Sequence, residues 1–174
     1  MTFVLRTLRP WLAALALCLP ALALASADKF FDAFLGDLPA ELASAATAGK
    51  KGVLLVFHVD GCPFCERMRE QIFARPEVQD YYRRHFVIIQ LDVNGSVPIT
   101  DPAGRETIEK NFARELRVVG TPTLVYLDTQ GKEMHRFSGV ARDVAEFLAR
   151  GRYVVGDHWQ KKSFEQYRAT EKKR

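Results

Sequence analysis

Two apolar runs constrain this chain more than any other feature. Residues 53–59 read VLLVFHV and residues 86–93 read FVIIQLDV, both rich in branched and aromatic side chains. Runs of this length with almost no polar alternation are the pattern of strands covered on both faces. They predict an α/β fold with a sheet in the middle and helices on either side.

The flanking residues supply the helices. The spacing predicts a helix over 29–48, with Phe30, Phe31, Phe34 and Leu35 as its apolar stripe, Pro39 opening a second turn and Gly49 closing it. Met68, Ile72 and Phe73 mark a helix over 66–73, and another spans about 77–84. Residues 94–105 (NGSVPITDPAGR) hold two prolines and two glycines and read as a loop. Ile108, Phe112 and Leu116 then predict a helix over 106–116. A strand at 124–127, a turn at 128–131 (DTQG) and a strand at 132–138 follow. Val144, Phe147 and Leu148 mark a last helix that stops at Gly151. The order is α-β-α-α-β-α-β-β-α, with about four strands, no internal repeat and one domain over 28–151. In the extension 152–174, Trp159, Phe164 and Tyr167 either dock a terminal helix or leave the segment partly loose.

Ahead of that domain, residues 1–9 are short and basic, with Arg6 and Arg9, and an apolar stretch runs from Trp11 to Leu24, ending at Ala25-Ser26-Ala27. A basic start, an apolar core and an A-x-A site predict an export signal over 1–27, cleaved after Ala27, with a periplasmic destination. A retained anchor would need about 20 apolar residues, and Pro20 interrupts the run. Lipidation at Cys18 is disfavoured by the bulky Leu17 before it.

Charge excludes one large class of partner. Lys plus Arg exceed Asp plus Glu by 25 − 21 = +4, and without the basic first segment by 23 − 21 = +2. That bias is too small to argue for nucleic acid, and the terminal Lys172, Lys173 and Arg174 read as a solvated tail.

Cleavage leaves two cysteines, Cys62 and Cys65, in a chain sent where disulfides persist. So short a loop restricts the unfolded chain little, so a purely structural staple explains the pair poorly. The C-x-x-C lies between a buried strand and a helix, where unpaired N–H groups and the helix dipole stabilise a thiolate. Pro63 fits the first helical turn without losing a hydrogen bond. On this reading Cys62 is the exposed nucleophile and Cys65 the sheltered thiol that resolves the mixed disulfide. Three other readings compete. Zinc would need two more ligands, and His58, His85, His135 and His158 lack paired spacing. Cu(I) held by both thiols and one histidine is a second, and an inert disulfide is a third.

At this point the residues resemble a known family. The chain is similar to thioredoxin-fold proteins over about residues 40–150: CPFC at 62–65 matches their active site, and VGTPT at 119–123 matches the loop that carries a cis-proline beside it. The insert after Asp92 and the GTPT loop look most like exported thioredoxins of the SoxW type, which are associated with bacterial sulfur oxidation. The resemblance implies a central mixed sheet of about four strands, a cis Pro122 that blocks metal capture, and Thr121 presenting its backbone to an extended client segment. It also implies a monomeric protein-disulfide reductase without cofactor or metal. Its partners would be protein disulfides and a membrane thiol reductase that donates electrons. Rivals are a disulfide-donating oxidase and a non-catalytic Cu(I)-binding or adaptor module.

The departures from the family are specific. The buried acid that usually aids proton removal from the resolving cysteine is Val56 here, and the usual tryptophan before the first cysteine is Gly61. Any relay must come from water or from groups such as His58, Asp60 and Glu66. His58 also reads as a packed or solvent-facing side chain, and the two carboxylates as stabilisers of the helix start. Arg67 and Arg69 can favour the thiolate, although exposed pairs act weakly. Phe64 reads equally as a hydrophobic rim for substrate and as simple packing.

Overall fold

A computed structural model describes residues 27–171. The segment read as an export signal (all but Ala27), with Cys18, and the basic tail at 172–174 lie outside the described residues. The two apolar runs form adjacent parallel strands, β1 (Gly52–His58) and β2 (Phe86–Asp92), with Gly52 opposite Phe86 and His58 opposite Asp92. β5 (Thr123–Asp128) lies antiparallel on the other side of β1, and β6 (Glu133–Ser138) closes the sheet in the order β2-β1-β5-β6.

Side chains alternate across a strand, so β1 feeds two core layers. Leu54 and Val56 pack under α2 (Pro63–Met68), α3 (Pro76–His85), α5 (Val144–Val155) and α6 (Phe164–Glu171). Val53, Leu55 and Phe57 pack under α1 (Leu38–Thr47) and α4 (Glu109–Glu115). This mixed sheet between helices is the thioredoxin fold that the resemblance implies. Two helix starts are built by aspartates: Asp37 accepts from the Ala40 N–H at 2.9 Å, and Asp143 from the Glu146 N–H at 2.7 Å. A cap of this kind contributes about 1 kcal/mol.

Four expectations need correction. The stretch 29–48 is not one helix: a 3₁₀ turn (Ala27–Phe30) and α1 are separated by an extended segment over 31–37. Phe30 is fully buried while Leu35 is 95% exposed, so the four apolar residues do not share a face. The segment is extended because it satisfies the free edge of β2. The Asp32 N–H donates to the Ile88 carbonyl at 2.8 Å, and Asp32 Oδ2 accepts from the Ile88 N–H at 2.9 Å.

The region read as a loop and a helix start holds a small hairpin, β3 (Pro98–Thr100) with β4 (Glu106–Ile108). Ile99 is buried and anchors it. The buried Asp101 carboxylate closes its turn, with Oδ1 accepting from the N–H groups of Ala103 and Arg105, both at 2.9 Å. α4 therefore begins only at Glu109, and Ile108 ends a strand instead.

The last helix of the domain does not stop at Gly151. It continues to Val155, and a Cβ at Gly151 would come within 2.6 Å of Tyr81 Cε1, so the glycine serves close packing, not termination. The extension beyond it is docked, with Phe164 and Tyr167 of α6 buried in the core and Trp159 in a 3₁₀ turn (His158–Gln160). Among the described residues no helix is long and apolar enough to cross a membrane.

Candidate active site

β1 ends where the site begins. The Cys62 N–H donates to the Val59 carbonyl at 3.3 Å, and the chain turns through Gly61 at φ +72°. Side chains other than glycine rarely adopt that conformation, which gives a physical reason for the missing tryptophan. Cys62 then caps α2: its Sγ accepts from the Cys65 N–H at 3.1 Å, and Pro63 occupies the first turn. Cys62 and Cys65 are joined as a disulfide, with Cα atoms 5.3 Å apart.

The Thr121–Pro122 peptide is cis, and Pro122 is buried. Thr121 faces the disulfide with both of its polar groups: its hydroxyl lies 3.4 Å from Cys62 Sγ and its carbonyl oxygen 3.6 Å. A disulfide sulfur has no proton to donate, so the carbonyl is in contact only. The hydroxyl can donate, and in the reduced protein a Cys62 thiolate would accept from both the Thr121 O–H and the Cys65 N–H. Charge-assisted bonds of this kind are roughly twice as strong as neutral ones.

The expectation of an exposed Cys62 and a sheltered Cys65 is reversed. Cys62 is only 8% exposed, because Thr121 covers its sulfur, whereas Cys65 is half-buried. The asymmetry that distinguishes the two thiols is therefore the hydrogen bonding at the cap, not access.

Cys65 instead borders a cavity of about 90 Å³ behind the disulfide. Val56 and Gln90, opposite each other on β1 and β2, form part of its floor, and Phe31 and Arg69 form part of its wall. His58, Asp60 and Glu66 reach the same cavity, so the structure brings together the three groups weighed for a relay. Phe64 is 53% exposed beside Cys62, which removes simple packing as its role, and the Arg67 guanidinium lies 5.9 Å from its ring centre. Sequence reasoning missed Gln90 and Phe31. The signal for Gln90 was present, since it is the polar residue interrupting FVIIQLDV before Asp92. Among the described residues no three His, Cys, Asp or Glu side chains are grouped to hold a metal.

Comparison with known proteins agrees with this geometry. Residues 38–155 match the thioredoxin-like domain family. The chain belongs to that family. A thiol:disulfide interchange protein, DsbD, of Pectobacterium atrosepticum is 35% identical over 96 residues, which are 55% of this chain and 15% of that relative. The chain thus spans less than a fifth of the length of this relative. A thioredoxin from Thermus thermophilus superposes with a TM-score of 0.52 at 32% identity, covering 67% of this chain and 82% of the other. A thioredoxin-fold protein from Helicobacter pylori superposes with a TM-score of 0.65, covering 86% of this chain and 91% of the other, and at 23% identity it speaks to the fold alone.

Proposed function

We propose that this protein is an exported thiol–disulfide oxidoreductase that reduces disulfides of periplasmic client proteins. The observation that carries the reading is Cys62 Sγ at the cap of α2, bonded to Cys65 and faced by the Thr121 carbonyl and hydroxyl. In the reduced protein the Cys62 thiolate attacks one sulfur of a client disulfide. The client's S–S bond breaks, a Cys62–client disulfide forms, and the displaced sulfur leaves as a thiolate that takes a proton from water. Cys65, as a thiolate, then attacks Cys62 Sγ. The Cys62–Cys65 bond forms and the second client sulfur departs, so the client has gained two electrons and two protons. Pro63, Phe64 and Thr121 are the client-facing surface, with Thr121 offering its main chain to an extended segment, while Pro122, expected there as well, is buried and acts through the cis bond that turns Thr121 towards Cys62.

The protein acts as a monomer without cofactor. A membrane thiol reductase returns the two electrons, and residues 1–27 are removed on export. The reductive direction is supported by the likeness to a thioredoxin, and the exchange chemistry by the likeness to a thiol:disulfide interchange protein. The finer likeness to SoxW-type thioredoxins, with a client in sulfur oxidation, rests on the insert after Asp92 and the GTPT loop.

Equilibration of the purified protein with glutathione, together with insulin reduction by a dithiol donor, tests the proposal. A potential near about −270 mV is expected, and one near about −120 mV would make it an oxidant instead. Cys62→Ala should abolish both mixed-disulfide formation and turnover. Retained turnover in that variant would refute the assignment, and stoichiometric Cu(I) uptake without turnover would favour the metal-binding module.

A further inference from the structure

The resolving step requires Cys65 to lose its proton, and Val56 stands where the family's acid would take it. The cavity behind the disulfide shows what replaces that acid. Cys65, Arg69 and Phe73 follow one another at intervals of four along one face of a continuous helix and all line the cavity. Neighbours at i and i+4 have Cβ atoms about 5–6 Å apart, so Arg69 leaves the helix next to Cys65 and enters the cavity that Cys65 borders. A widened π turn (Arg69–Phe73) begins at this arginine, with the Ala74 N–H donating to the Arg69 carbonyl at 3.0 Å.

Two contacts aim the guanidinium across the cavity. An Arg69 N–H donates to Gln90 Oε1 at 3.2 Å, and the guanidinium carbon lies 5.5 Å from the Phe31 ring centre. Gln90 is in register with Val56, so a neutral acceptor stands on the strand beside the missing acid and holds a cation in place. The geometry points to Arg69, positioned by Gln90, as the residue that stabilises the Cys65 thiolate during resolution.

An acid relay and a fixed cation do this differently. An acid accepts the proton, whereas the cation lowers the free energy of the anion and lets water carry the proton away. The cavity suits the second route, since a water needs roughly 10–15 Å³ of such space and two to four polar partners, and about 90 Å³ is present with His58, Asp60, Glu66, Arg69 and Gln90 in its lining. The charged and titratable groups facing Cys65 there are His58 and Asp60 from β1 and its exit, and Glu66 and Arg69 from the helix; Gln90 from β2 is neutral. Glu66 Oε1 lies 4.0 Å from Arg69 Nε with its side chain 63% exposed, so it offsets the cation only weakly.

This inference rests on the dithiol cycle proposed above but not on its direction, and its test does not depend on turnover. In a Cys62→Ser background only Cys65 contributes a thiol in the mature chain, and its thiolate is titrated by ultraviolet absorbance. Adding Arg69→Gln should lower the thiolate fraction at neutral pH by about three- to tenfold, with the titration midpoint moving up. Arg69→Lys should restore most of the fraction, and Gln90→Leu, which keeps the charge but removes one of its anchors, should lose part of it. The same order should appear in the rate at which protein with both cysteines releases glutathione from its mixed disulfide. Coincident titrations in the Arg69→Gln and parent proteins would overturn the inference. So would a loss that Arg69→Lys fails to restore while Gln90→Leu is without effect, because that pattern marks a packing role. Should Arg69→Gln not fold, Gln90→Leu alone decides, through a lowered or an unchanged thiolate fraction.

Discussion

The two ends of the described chain pack on the same face of the sheet and do different things. At the N-terminal end, Phe30 stacks on Phe73 with ring centres 4.4 Å apart, and its neighbour Phe31 walls the active-site cavity under Arg69. At the C-terminal end, Phe164 and Phe137 enclose the Arg150 guanidinium at 4.0 and 3.8 Å, and Arg150 pairs with the buried Glu146 at 2.7 Å. The residues of this second cluster do not line the cavity behind the disulfide. Equal burial therefore does not mean equal consequence: one aromatic cluster stabilises the fold and shapes the site, the other stabilises the fold alone.

The sharpest way to break that distinction is to delete one ring from each. Phe30→Ala should cost about 3–5 kcal/mol in urea unfolding and also move the glutathione equilibrium of Cys62 and Cys65, because Phe73 and Phe31 lose their support. Phe164→Ala should cost about 3 kcal/mol and leave that equilibrium where it was. If the equilibrium moves equally in both variants, the two clusters are not independent.

Acid should distinguish them next. His135 packs edge-on against Tyr153 in the C-terminal cluster, with Nε2 buried and unpartnered. Burial, reinforced by Arg150 and opposed by Glu133 and Glu165, holds it at about 4 against an ordinary 6.5. The fold keeps this ring neutral where the unfolded chain protonates it. Its contribution is therefore full above pH 6.5 and declines as pH falls towards 4. Urea midpoints followed over that window should drop in the parent protein and drop less in His135→Phe. Equal slopes would remove His135 as the acid-sensitive group. The smallest effect belongs to Leu35, which is 95% exposed: Leu35→Ser should leave stability within about 0.5 kcal/mol, as measured by the same unfolding curves.

Leu35 also shows where sequence patterning loses its hold. Phe30, Phe31, Phe34 and Leu35 fit a helical period, but a β2 edge lacking partners competed for that backbone and prevailed through Asp32. Gly151 likewise reads as a stop until the Tyr81 ring is seen against it. Both outcomes were decided by residues distant in sequence. The cysteines and the Thr121–Pro122 loop were legible because each is a local motif in a fixed order along the chain. Their relative burial was not, since it depends on Thr121 folding back 59 residues later onto Cys62. Gln90 stood out as the polar break in an apolar strand, but its place beside Val56 emerged only from the register of β1 and β2, and that of Phe31 only from the folded cavity.

The hold of Asp32 on Ile88 has a wider outcome for self-association. A foreign strand approaching the β2 border meets main-chain groups already taken, by one residue's amide and carboxylate together. At Ile88 that border is thereby made less open to a copy of the chain, while along the opposite border, Glu133–Ser138, Glu133 and Arg136 are already clasped to each other. A single aspartate thus acts as a stopper against fibre-like stacking on one flank of the molecule.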